Sequence, residues 1–149
     1  MGTMKRQFVV MAGLVGLVFV FAALSVWAQA GPSLKITSPK SGADISVDTV
    51  TITYEATGVK IVPAADAKAR EEAHFHLFLD RKDFKPGVEI PRDMEKEGIY
   101  HTAKTSHELK GLKPGKHEVT VVLSYNNHVP WEPLVTATVT FNTGVKKKK

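Results

Sequence analysis

The stretch TVTITYEATG (Thr49–Gly58) alternates without a break. Val50, Ile52 and Tyr54 fall on one face, and Thr49, Thr51, Thr53 and Glu55 on the other. A period of two with one apolar side predicts a strand buried on one face, and Gly58 ends it. Upstream, SLKITSPKSGADI (Ser33–Ile45) holds a short alternating run and then a turn at Pro39 and Gly42. Downstream, PAADAKAREEA (Pro63–Ala73) is rich in helix formers and predicts a turn or two of helix. HFHLFLD (His74–Asp80) reads as the next strand, and RKDFKPGVEIPRDMEKEG (Arg81–Gly98) as a long polar connection. IYHT (Ile99–Thr102), SHELKGL (Ser106–Leu112), HEVTVVLSY (His117–Tyr125) and LVTATVTF (Leu134–Phe141) are further strands. In KPGK (Lys113–Lys116), Pro114 presets one turn dihedral and Gly115 accepts a positive one. About seven short strands separated by turn signals predict an all-β, two-sheet antiparallel sandwich over residues 31–144.

The 149-residue chain begins with a different kind of sequence. Lys5 and Arg6 precede FVVMAGLVGLVFVFAALSV, and Ala28-Gln29-Ala30 follows. A basic start, an apolar middle and a small-x-small ending predict a signal peptide helix over 1–30, with cleavage after Ala30. The rival reading is an uncleaved anchor, the one part of the chain expected to meet a membrane. Either way the body is expected in the periplasm or outside the cell. There is no cysteine, which excludes disulfides, thiolate metal sites and lipoprotein-type acylation. Of 20 basic and 15 acidic residues, Lys5 and Arg6 precede the body and Lys146 to Lys149 follow it. The body is therefore nearly neutral, with no clustered basic charge to suggest nucleic acid. Residues 145–149 are expected to form a disordered, solvated tail.

All six histidines lie in the body. Residues two apart on a strand share a face. His74 and His76 therefore project side by side with Phe78 and Asp80, opposite Phe75, Leu77 and Leu79. They could be two ligands of one metal, or polar residues on a solvated face. His128, in NNHVPWEP (Asn126–Pro133), sits on a loop stiffened by Pro130 and Pro133 and is a candidate third ligand. His101 is a fourth, with a half-buried structural role as its rival. His117 reads as structural, its ring bonding backbone near the turn, and His107 as a surface residue. Neutral imidazoles favour Zn²⁺, Cu²⁺ or Ni²⁺, and Zn²⁺ or Cu²⁺ is the expected ion at His74, His76, His101 and His128. Asp80 is a possible ligand, or an acceptor that fixes a ring tautomer.

HFHLFLD, Ile90-Pro91, IYHT, LKPGKHEVTVVL and NHVPWEP follow one another as in a bacterial family of secreted immunoglobulin-like domains of unknown function, which the chain resembles over most of Ala73–Phe141. That family's pattern is a His-rich strand ending in an acidic residue, an Ile-Pro, a His before a polar strand, a Pro-Gly-x-His turn and an Asn-His-x-Pro loop. After His101 it tends to carry a Gly-Gln-Thr-Glu run, where this chain has KTSHE. The resemblance implies an immunoglobulin-like sandwich in the periplasm or outside the cell. It puts His74, His76, His101, His117 and His128 on pattern positions.

Three function classes remain. The first is a small non-enzymatic binding module holding a divalent metal ion through clustered histidines. The second is an envelope structural or protein-interaction domain without a metal. The third, an enzyme, lacks support: there is no cysteine, no G-x-S-x-G elbow and no conspicuous carboxylate pair. Trp131, Tyr125 and Tyr100 could also stack on a sugar, although aromatics at such positions are more often core.

Overall fold

A computed structural model describes residues 31–92 and 94–146. The segment 1–30, read above as a signal peptide, and Lys147–Lys149 of the Lys tail lie outside the described residues. The strands are β1 (Ser33–Ser38), β2 (Ala43–Ile45), β3 (Val50–Thr57), β4 (Lys60–Ile61), β5 (Glu72–Leu79), β6 (Ile99–Thr102), β7 (Ser106–Leu109), β8 (Gly115–Tyr125) and β9 (Thr136–Thr143). One sheet has the order β1-β3-β7. The other runs β2-β9-β8-β5, with β4 and β6 both pairing β5. The connectivity is that of an immunoglobulin-type sandwich.

Nine strands stand among the described residues where about seven were expected. The short pieces β2 and β4 span three and two residues and carry no periodic signal. Both pair in parallel, so the larger sheet is not wholly antiparallel. The helix expected in Pro63–Ala73 is a single 3-10 turn, Ala64–Asp66. The remainder of that segment is tied to the Glu72 carboxylate, which accepts the Lys68 and Ala69 N–H groups and pairs with Lys60. Those bonds hold Glu72 at about 2, well below the usual carboxylate range.

The core lies between the sheets. Val50, Ile52 and Tyr54 of β3 meet Phe75 and Leu77 of β5, with Val121 of β8 and Phe141 of β9 beside them. Tyr54 and Phe75 pack edge to face at 4.8 Å. Burying each such side chain contributes roughly 1.5–3 kcal/mol, so the apolar face read in β3 is one of those that hold the sheets together.

The outer face of the larger sheet departs from expectation. β5 is buried on both faces from Glu72 to Phe78. The connection 81–98, polar by composition, lays Phe84, Ile90 and Met94 over Phe78, Ile99 and Val122 as a second small core. Gly98 closes this cover. At φ 81° its N–H reaches the Glu95 carbonyl, and a Cβ there would come within 2.9 Å of the Leu79 carbonyl oxygen. Only glycine lets the chain approach β5 so closely.

Candidate metal centre

Three elements converge near the start of β5. His74 and His76 point to its covered outer face and are fully buried. His101 lies directly opposite His76 across the β5–β6 ladder. His128 comes from the turn beyond β8. There the Tyr125 carbonyl accepts the His128 N–H (2.9 Å) and the Val129 carbonyl accepts the Tyr125 N–H (2.9 Å). This is a three-residue hairpin loop whose last position takes a left-handed conformation, usually a glycine. His128 occupies it at φ 64°, with its ring buried. A side chain in that conformation costs roughly 1–2 kcal/mol, and strain of this kind points to a functional demand. The Ile90 N–H donates to the His128 carbonyl at 2.9 Å, fastening the cover to the turn. Tyr125 stacks on Trp131 at 4.3 Å, and the Arg70 guanidinium lies 4.5 Å from the Tyr125 ring centroid.

The four rings are mutual neighbours, with all centroid separations between 4.6 and 5.3 Å. One nitrogen each from His74, His76 and His128 lies within 4.8 Å of the other two. His128 Nδ1 is 3.3 Å from His74 Nε2 and 3.3 Å from His76 Nε2. A hydrogen bond prefers a donor–acceptor distance of about 2.9–3.0 Å. Nitrogens bound to one tetrahedral ion at about 2.0–2.1 Å stand about 3.3–3.4 Å apart. Both separations equal the edge of a coordination tetrahedron and are also within hydrogen-bond reach, while all three nitrogens lie within 4.8 Å of one another.

The chemistry of the donors agrees. Ser124 Oγ lies 3.1 Å from His76 Nδ1. With Nδ1–H donating to that hydroxyl, His76 Nε2 presents its lone pair to the other rings. His74 Nδ1 is buried with no hydrogen-bond partner among the described residues. Burial, and then the neighbouring imidazoles, hold His74 at about 3 and His76 at about 2. His128 is lowered too, by burial first and then by Arg92 and His101. At neutral pH the group is therefore a set of uncharged imidazoles that need lose no proton to bind a cation. A cavity of about 210 Å³ lies under the same cover, between Phe78, Phe84, Ile90, Met94 and Ile99. No histidine is among the residues that line it.

The other candidates fall elsewhere. Asp80 does not join the cluster. It follows β5 at φ 56°, accepts the Glu118 N–H through Oδ1 (2.8 Å) and faces His117 Nδ1 through Oδ2 (2.7 Å). His117 Nε2 donates to the Lys113 carbonyl (2.8 Å), so both ring nitrogens face acceptors. His107 is not a surface residue; it is half-buried against Tyr100, ring to ring at 4.6 Å. Tyr100 is half-buried on His107, and the buried Tyr125 stacks on the half-buried Trp131. Ser124 escaped the sequence reading. Its place in HEVTVVLSY puts it on the face of Thr120 and Val122, but only the β5–β8 register sets it opposite His74.

An all-β sandwich with a buried group of histidines beneath a loop cover is thus defined. Residues 52–144 match the Domain of unknown function (DUF4399), and the chain belongs to that family. No curated protein matches it. Among solved structures it is similar to the Clostridium thermocellum CbhA fibronectin(III)-like modules, at 16% identity and a TM-score of 0.45, covering 80% of this chain and 51% of that one. The chain thus spans about half the length of that structure. It is also similar to the PKD domain (329-428) from human KIAA0319, at 14% identity and a TM-score of 0.39, covering 84% of this chain and 94% of that one.

Proposed function

We propose that this domain is a small exported, non-enzymatic binding module that holds one divalent transition-metal ion. His74, His76 and His128 supply the inner ligands, and His101 is available as a fourth. The observation that carries this reading is the pair of 3.3 Å nitrogen separations around His128 Nδ1, at ring nitrogens that burial keeps unprotonated. All-imidazole donors suit Zn²⁺ or Cu²⁺. Export is supported by the basic, apolar and Ala-x-Ala order of the first thirty residues. A second reading, an envelope interaction domain without an ion, has the fold's general adaptability behind it. It leaves the strained His128 without a purpose.

The test is calorimetric titration of the chain lacking residues 1–30 with Zn²⁺ and with Cu²⁺, alongside thermal melts. One ion per chain and a higher melting temperature on loading are expected. No heat of binding and an unchanged melting temperature with either ion would leave the second reading in possession.

A further inference from the structure

The cavity of about 210 Å³ under the cover is a concave site apart from the histidines. Its floor is apolar. Phe78, Ile90 and Ile99 are buried, and Phe84 and Met94 are half-buried beside them. Phe78 and Phe84 stand ring to ring at 5.0 Å. Interiors are close-packed, and an unfilled space among apolar side chains forfeits contacts. An apolar cavity of about 150 Å³ already holds a benzene molecule. The walls are pinned by the chain itself. The Arg81 guanidinium pairs with the Asp83 carboxylate and donates to the Glu97 carbonyl at 2.8 Å. The Leu79 N–H donates to the Gly98 carbonyl at 2.8 Å, and the Ile90 N–H to that of His128 at 2.9 Å. The space is therefore preformed, as small-molecule sites usually are.

The rim has its own chemistry. Lys85 and Val88 are the first and last residues of a turn whose Lys85 carbonyl accepts the Val88 N–H at 3.2 Å. Pro86 and then Gly87, at φ 72°, suit a type II turn. Val88 is 54% exposed, so apolar surface continues from the floor to the rim. Of the charged residues that line the cavity, Arg81 pairs with Asp83, and Glu89 pairs with Arg92 at 3.4 Å. The Lys85 ammonium has no ion pair or hydrogen bond among the described residues. One cation at the mouth is thus left over. We propose that this cavity binds a small apolar carboxylic acid, its body on the Phe78–Ile99 floor and its carboxylate toward Lys85. The volume limits the body to about one ring or a short branched chain. This site does not rest on the metal reading.

The experiment uses residues 31–149, which hold every described strand, with a chelator present so that no ion is bound. Amide NMR spectra are followed during titration with benzoate, benzyl alcohol and benzylamine, three probes with one ring and different charge. Benzoate should shift the Phe78, Ile90 and Ile99 resonances saturably. It should bind more tightly than benzyl alcohol by about two- to fivefold, the range an exposed ion pair supplies, and benzylamine should bind most weakly. Lys85→Gln changes an exposed side chain and should bring benzoate down to the affinity of benzyl alcohol. Lys82→Gln is the control: Lys82 pairs with Glu118 at 2.9 Å and is not among the lining residues, so the preference should survive. Saturable shifts absent from those three resonances would overturn the proposal. So would benzoate binding no better than the alcohol in the natural chain, a preference that persists in Lys85→Gln, or one that Lys82→Gln removes equally.

Discussion

His117 and the buried histidine group lie toward opposite ends of β5, and their nitrogens face opposite things. At the far end, one nitrogen of His117 meets the Asp80 carboxylate and the other the Lys113 carbonyl. Burial works against a charge there, but the bonds to Lys113 and Asp80 raise the pKa above its ordinary value. The charged form of that ring is favoured by partners built into the chain. At the near end, the nitrogens of His74, His76 and His128 face one another, and burial keeps His74 and His76 neutral down to about 3 and 2. A structural histidine is completed by acceptors. In the proposed reading, the buried histidines keep lone pairs that an ion would complete.

The largest expected effect is on binding. His76→Ala should cut affinity for Zn²⁺ or Cu²⁺ by more than the roughly 10–100-fold typical of losing a ligand's outer hydrogen-bond partner. His117→Ala should leave binding unchanged. Titrating both variants side by side breaks the comparison if His117→Ala is the one that loses the ion.

Acid separates the two ends next. Unfolded histidines take up protons below about pH 6.5, whereas folded His74 and His76 do so only near 3 and 2. The unfolded chain then holds more protons, so the ion-free protein should lose stability progressively as pH falls below about 6.5. The raised His117 has the opposite sign. Its contribution is complete below about pH 6.5 and is lost as pH rises through its folded value. Urea midpoints measured with a chelator present should fall on the acid side in the natural chain. His117→Gln should remove the loss on the alkaline side and leave the acid limb intact; an acid limb abolished by His117→Gln would contradict the assignment.

A smaller effect belongs to Ser124. Ser124→Ala removes the hydroxyl beside His76 Nδ1 and should weaken ion binding by about tenfold, with one ion still bound per chain. Equal affinity in Ser124→Ala and the natural chain would show that the hydroxyl does not orient the ring.

The sandwich was legible because β3 and β9 alternate cleanly and the turns carry Pro and Gly. Two of the histidines were legible as a pair because a strand puts alternate residues on one face. What could not be read was the cover. The 81–98 connection looks polar, since Phe84, Ile90 and Met94 are scattered among charged residues without a period. Without it, the outer face of β5 reads as solvated, and His74 and His76 as exposed. Asp80 shared their strand parity, but its left-handed backbone takes the carboxylate to His117 instead. His128 gave a loop signal only; that it fills a glycine position depends on the hairpin's hydrogen bonds, which no local pattern specifies.

That glycine position offers the most direct test of a metal centre built at a cost to the fold. His128→Gly removes a ligand while relieving a strain of roughly 1–2 kcal/mol, so fold and binding should part company. Native mass spectrometry with Zn²⁺, paired with thermal melts of the ion-free proteins, measures both. The account predicts one ion on the natural chain and none on His128→Gly, with the ion-free variant still folded and melting cooperatively. One ion on both proteins would contradict it.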